Sequence, residues 1–285
     1  MGNEKQTIVI TGCSSGIGLE TVVTCSKNNY KVFACVRSLT KSAELQNRIN
    51  AENLTDVHIV EMDMTETFSI INGFNEIRKK TEQIDILFNN AGKMILGSLE
   101  DLSENELHEQ LAVDLIGIIT LTQKVIPIMR VNGGGLIINM GSIAGRIGFP
   151  LSSPYCISKF GLEGLSQALR RELAPKNIHV CIIEAGIVDT KFFENTRLAD
   201  ASKKSAYTLE TFTMNDLIKQ MKKDKYSTPN NIAEKILEII ESKGEDFRYI
   251  IGNDAEHVIG LMMSCGDNQK SMDKNLEELQ KDWVN

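Results

Sequence analysis

Short, mostly apolar runs alternate along this chain with segments whose apolar residues recur at helical spacing. The runs Thr7–Ile10, Lys31–Val36, Val57–Glu61, Ile84–Phe88, Leu136–Met140 and Ile178–Ile183 read as strands. Their near-continuous apolar character marks strands buried on both faces, so the pattern predicts a parallel sheet covered by helices on each side. Over residues 104–130, Leu107, Leu111, Leu115, Ile118, Thr122, Val125 and Met129 recur with the period of one long helix. Ser103 and Glu106 have the spacing of a capping box, and Ser153-Pro154 and Thr228-Pro229 each set a cap before a first-turn proline. No internal repeat or low-complexity stretch interrupts the alternation. The predicted fold class is α/β, a doubly wound parallel sheet of the Rossmann type, in one domain spanning residues 1–285.

The first strand runs straight into Thr11-Gly12-Cys13-Ser14-Ser15-Gly16-Ile17-Gly18, and a helical pattern begins near Ile17. Glycines at 12, 16 and 18 remove side chains where the backbone turns sharply, and the helix that follows offers free N–H groups and the positive end of its dipole. The stretch reads as a dinucleotide cradle, with Ser14, Ser15 and Ile17 between the glycines; its spacing is not the common G-x-G-x-x-G, and an ordinary strand-to-helix turn is the plainer alternative. Dinucleotide folds usually place an acid about 20 positions further on, to hold the adenosine ribose. Here the second strand ends in Val36-Arg37-Ser38. Arg37 can pair with a 2′-phosphate that an acid would repel, which favours NADP(H) over NAD(H); a solvated strand-end arginine is the plainer alternative.

Composition narrows the function. The 285 residues are 42% hydrophobic and 24% charged, as in an ordinary globular domain, and the net charge of −7 argues against a nucleic-acid partner. The apolar stretch Ile8–Ile10 goes straight into the glycine turn rather than forming a signal-type run behind a positively charged segment, so secretion is not expected. The most apolar long window, residues 111–129, contains Asp114, Gln123 and Lys124, and reads as a buried helix rather than an integral membrane segment. The six cysteines and four histidines are scattered without ligand spacing, so no metal and a reduced, cytoplasmic setting are expected.

Further polar residues stand at strand ends, where open α/β sheets bind ligands. Asp63 closes the third strand, either to accept from an adenine amino group or to cap the next helix. Asn89-Asn90-Ala91-Gly92 follows the fourth strand and Gly141-Ser142 the fifth. Asp114 puts a carboxylate in the middle of the long helix, where burial costs several kcal/mol unless a partner satisfies it. Tyr155 and Lys159 sit four residues apart on one helical face. An ammonium beside a phenol favours the phenolate, so Tyr155 can exchange a proton with an alcohol or carbonyl oxygen while Ser142 hydrogen-bonds the same oxygen.

Together these residues resemble the classical short-chain dehydrogenase/reductases. Thr11-Gly12-x-x-x-Gly16-x-Gly18, Asn89-Asn90-Ala91-Gly92, Ser142 and Tyr155-x-x-x-Lys159 occur in that family's order and spacing, from Thr7 to about Thr190, with a plausible last strand at Arg248–Ile251. The N-terminal half is most similar to the hydroxysteroid and retinol dehydrogenase branch. The resemblance implies a seven-stranded sheet, Tyr155 as acid/base, Ser142 orienting the substrate oxygen, and Lys159 lowering the Tyr155 pKa while binding the nicotinamide ribose. Gly186, Val188 and Thr190 keep the family's pattern near the nicotinamide amide. Two positions depart from it: Asp114 replaces a water-holding asparagine, and Ala185-Gly186 replaces Pro-Gly.

Residues 191–226, polar and irregular with a basic stretch at 219–225, are expected to form a substrate lid, and residues 253–285 a C-terminal extension containing a short apolar helix at 258–263. The function expected is an NADP(H)-dependent oxidoreductase interconverting carbonyl and alcohol on a hydrophobic small molecule, assembled as a homodimer or homotetramer. A dinucleotide-binding regulator or scaffold with little turnover is the alternative, supported by Asp114. An isomerase or dehydratase on the same fold fits the glycine spacing less well.

Overall fold

The computed structural model describes residues 5–220, 227–266 and 268–284. In chain order they form β1 (Thr7–Thr11), α1 (Gly16–Lys27), β2 (Lys31–Val36), α2 (Ala43–Ala51), β3 (Val57–Glu61), α3 (Thr67–Arg78), β4 (Ile86–Asn89) and β5 (Ile95–Leu96). Then follow α4 (Glu104–Leu111), α5 (Gly117–Val131), β6 (Gly135–Met140), α6 (Ser153–Leu173), β7 (Ile178–Ala185), α7 (Lys191–Glu194) and β8 (Arg197–Leu198). The chain continues through α8 (Thr208–Gln220), α9 (Pro229–Glu241), β9 (Arg248–Ile251), α10 (Asn253–Cys265) and α11 (Gln269–Val284).

A seven-stranded sheet runs β3-β2-β1-β4-β6-β7-β9, and every pairing in it is parallel. The chain moves outward from β1 to β3 and then crosses back to β4 on the other side of β1. That reversal opens a crevice at the carboxyl ends of β1 and β4. Alternate side chains enter opposite layers, as a period of two requires. Ile8, Ile10, Val32 and Ile138 pack with α1 and α9 through Leu19, Val22, Ile232 and Ile236. Val9, Phe33, Leu87 and Ile137 pack with α3, α5 and α6 through Ile77, Leu121, Val125 and Leu162. A third apolar cluster joins Ile143 and Ile147 to Ala255, Val258 and Ile259 of α10 and Met272 of α11.

The expected strands are present within a few residues of their predicted ends, and the Ser103–Glu106 capping box forms, as does one between Thr228 and Asn231. Several details differ. Ser152, not Ser153, is the N-cap of α6, with Ser153 and Pro154 already in the first turn. The long helix is continuous but widens into a π-turn at Ala112–Ile116, between α4 and α5. By length and composition this helix is apolar enough to cross a membrane. Ile118, Leu121, Val125 and Met129 of α5 are buried against the sheet, and about a third of the helix's most apolar window is buried in all.

Within residues 191–220, part of the segment expected to be irregular, α7, β8 and α8 form. β8 pairs with β5, Arg197 bonds to Glu109 at 2.8 Å and Asp200 at 3.1 Å, and Asp101 accepts from Ser205 at 2.8 Å. Only residues 219 and 220 of the basic stretch, and none from 221 to 225, fall within the described part. The charged C-terminal end forms α11, and α10 extends beyond the short apolar helix expected there.

Candidate active site

Gly12 and Gly16 adopt φ +73° and +60°, a left-handed backbone that side chains disfavour. A Cβ on Gly12 would stand 2.8 Å from the Ala91 backbone, and one on Gly18 would collide with the Gly12 carbonyl. The loop is therefore drawn tightly onto α1 and β4. Asn90 holds it there: its side-chain amide donates to the Thr11 carbonyl at 2.9 Å and the Gly12 carbonyl at 3.2 Å. Ser15, the N-cap of α1, makes no capping bond with its side chain, and no acid occupies the first turn. The first N–H groups of α1 and its positive dipole end are left for an anion, which fits a dinucleotide pyrophosphate.

A cleft of about 800 Å³ runs along the carboxyl ends of the central strands. Gly12, Ser14, Ser15, Gly16 and Ile17 line its middle, with Ala91 and Gly92 beside them. Arg37 and Lys41 line one end beside Asp63. The neighbouring Glu61 carboxylate is engaged by the Leu39 N–H at 3.0 Å and is not among the lining residues. Asp63 accepts from the Thr65 N–H and hydroxyl at 2.9 and 2.8 Å, so it caps the turn after β3 while still facing the cleft. Gly18 does not line the cleft; its place is structural, under the loop.

At the other end Ser142, Tyr155 and Lys159 meet. Ser142 leaves β6 as the cap of a short 3-10 turn, its hydroxyl accepting from the Ala144 N–H at 3.1 Å. The α6 helix presents Tyr155 and Lys159 on the face towards it. The Lys159 ammonium is buried, donates to the Met140 carbonyl at 2.9 Å and lies 5.4 Å from the Tyr155 ring centre. Asp114 lies behind this wall rather than in it. It is 0% exposed, its Oδ1 accepts from the Lys93 N–H at 3.0 Å, and its Oδ2 stands 3.6 Å from the Lys159 Nζ.

Burial pushes the Asp114 carboxyl up to about 6, against the opposing pull of Lys159 and the Lys93 N–H. The phenol of Tyr155 is also displaced, and not in the direction expected. Burial raises it well above its usual range, the Asp114 charge adds to the rise, and a hydrogen bond with Ser142 opposes both. The Lys159 ammonium also faces two negative groups, the Asp114 carboxylate and the Met140 carbonyl.

The remaining walls combine residues named from the sequence with others that its pattern did not single out. Gly186, Val188 and Thr190 line the cleft as expected, joined by Ile187, Phe149, Phe192, Met214 and Ile218, with Lys93, Glu109 and Arg197 at its polar edge. The ring of Phe192 lies 5.9 Å from that of Tyr155. Lys41, four residues beyond Arg37, was within reach of sequence reasoning. The aromatic and methionine walls come together only through the fold.

Residues 6–201 match the family model described as short chain dehydrogenase. The 3-ketodihydrosphingosine reductase of Bacteroides thetaiotaomicron is 30% identical over 87% of this chain and 88% of its own. Human 17-beta-hydroxysteroid dehydrogenase type 1 is 29% identical over 86% of this chain and 77% of its own. Among solved structures, a short chain dehydrogenase/reductase from Burkholderia phymatum, in complex with NAD, superposes with a TM-score of 0.82 at 18% identity, over 94% of this chain and 96% of its own. With the sheet order, the glycine cradle and the Ser142–Tyr155–Lys159 wall all in place, the chain belongs to the short chain dehydrogenase family, among its hydroxysteroid dehydrogenase-like oxidoreductases that act on alcohol and carbonyl groups.

Proposed function

We propose that this protein is an NADP(H)-dependent oxidoreductase interconverting a carbonyl and an alcohol on a hydrophobic small molecule. The observation that carries the reading is the meeting of Ser142, Tyr155 and Lys159 at one end of a cleft whose other end holds Arg37 and Lys41. The two cations suit a 2′-phosphate, and Gly12 to Gly18 with the open end of α1 suit the pyrophosphate. Phe149, Phe192, Met214 and Ile218 give the substrate end its apolar lining. The two relatives, named for a keto-lipid and a hydroxysteroid, favour a substrate of that hydrophobic kind.

The bound dinucleotide supplies or accepts the hydride; the chain's own residues manage the proton and the substrate oxygen. Ser142 Oγ and Tyr155 Oη both hydrogen-bond that oxygen. During reduction Tyr155 gives it a proton, and during oxidation Tyr155 takes the proton away. The Lys159 ammonium stabilises the phenolate that forms, and Asp114 positions the lysine. Residues 1–285 act as one domain, with 191–226 as the lid and 253–285 as an extension. The exposed apolar residues Ile116, Ile157 and Phe160, on the long helix and α6, support association as a homodimer or homotetramer.

The regulator reading is favoured by one observation, the Asp114 charge that opposes ionisation of Tyr155. A panel of ketosteroids, keto-lipids and simple ketones, assayed with NADPH beside NADH, separates the two. Turnover with NADPH supports the oxidoreductase, whereas tight NADPH binding with no turnover across the panel supports the regulator.

A further inference from the structure

The backbone between β7 and α7 forms one wall of the cleft, and no proline stiffens its Ala185-Gly186 turn. A side chain 67 positions away holds it instead: the Ile187 N–H donates to Asp254 Oδ2 at 2.7 Å. Two glycines make room for that one carboxylate. A Cβ on Gly186 would collide with both Asp254 oxygens, and one on Gly252, at φ +111°, would stand 2.7 Å from Oδ1. The same stretch is tied by the Gly186 N–H to the Ile251 carbonyl at 3.1 Å and by the Asp189 N–H to the Ser227 carbonyl at 2.9 Å. Asp254 is the side-chain member of this set.

What the turn carries explains why its position matters. Thr190 reaches the glycine loop, where its Cγ2 would lie 3.2 Å from a Cβ on Gly16. Its hydroxyl accepts from the Phe192 N–H at 3.2 Å and starts α7, which sets the Phe192 ring against Tyr155. On its other side Asp254 belongs to the first turn of α10. The buried residues of that helix pack on Ile143 and Ile147, directly after Ser142. One helix thus braces the backbone on both sides of the reacting centre.

We infer that Asp254 is a positioning residue, whose carboxylate sets the wall between β7 and α7 and makes the C-terminal helix pair part of the active site. The inference rests on the reading of this wall as the nicotinamide end of the cleft. It concerns a region beyond residue 201, where the family match stops.

The test compares Asp254→Ala and Asp254→Asn in the full chain, by amide hydrogen exchange of peptides covering 184–192 without cofactor and by NADPH affinity, kcat and KM. Loss of a charged acceptor should speed exchange in that stretch by about tenfold or more in the alanine variant, with the sheet core unchanged, and weaken NADPH by about tenfold. Asparagine keeps an acceptor oxygen and should restore both to within about threefold of wild type. Exchange within about twofold of wild type in Asp254→Ala, or equal defects in both variants, overturns the inference. If the alanine variant does not fold, Gly186→Ala presses on the same contact from the other side, and unchanged exchange at 184–192 overturns it equally. Wild-type protein that binds no dinucleotide refutes the proposed function, while the exchange comparison still decides the role of Asp254.

Discussion

Asp114 occupies a π-turn in the long helix, and such turns recur where a side chain must be aimed at a site. Its carboxylate is buried beside Lys159, and its charge opposes loss of the Tyr155 proton. Asp114→Asn should therefore lower the Tyr155 pKa, moving the pH–rate profile for alcohol oxidation to lower pH, with turnover preserved or raised; a large loss at all pH values would contradict this. The same residue makes a stability prediction. Its carboxyl binds a proton more tightly in the folded than in the unfolded protein, being raised from 3.8 to about 6. Stability is then lost as pH rises between those values, by up to about 3 kcal/mol. Urea unfolding across that range should show this slope in the wild type and a flatter one in Asp114→Asn.

At the scale of elements, the strands were legible because a strand buried on both faces writes a continuous apolar run, and the cradle because glycines mark the left-handed backbone at Gly12 and Gly16 and the close approach to Ala91 at Gly12. Tyr155 and Lys159 were legible because helical spacing alone puts them on one face. Long-range partners were not. β8 is two residues long and exists by pairing with Ile95 and Leu96, and Asp254 meets Ile187 only once β7 and β9 are side by side. The π-turn leaves no mark in a 3.6-residue period, whereas α11 does carry an apolar stripe in its sequence, Met272, Leu276, Leu279 and Trp283, which the many charges around it obscured. The capping box at α4 illustrates the coupling: Glu106 bonds Ser103 and also accepts from the Asp200 N–H at 2.9 Å. Ser103→Ala should cost about 1 kcal/mol in urea unfolding. At the second strand's end, Arg37→Asp should turn the NADPH-to-NADH affinity ratio towards NADH by about tenfold or more, as expected for losing a charge-assisted phosphate contact. An unchanged ratio would remove the 2′-phosphate from this end of the cleft.

Across the whole molecule, the sheet reversal between β1 and β4 opens one crevice, and the chain fills its two ends with different chemistry. Cations at Arg37 and Lys41 mark one end, and Ser142, Tyr155 and Lys159 the other, with the C-terminal helices bracing the second. Binding and proton transfer should therefore be separable by a single atom. The most direct measurement is NADPH oxidation against a keto-lipid or ketosteroid turned over by the wild type, beside NADPH affinity, in Tyr155→Phe. Removing the phenolic oxygen should reduce turnover by about a thousandfold or more while leaving NADPH affinity within about threefold. A variant that keeps wild-type turnover would contradict the assignment of Tyr155 as the group that moves the proton.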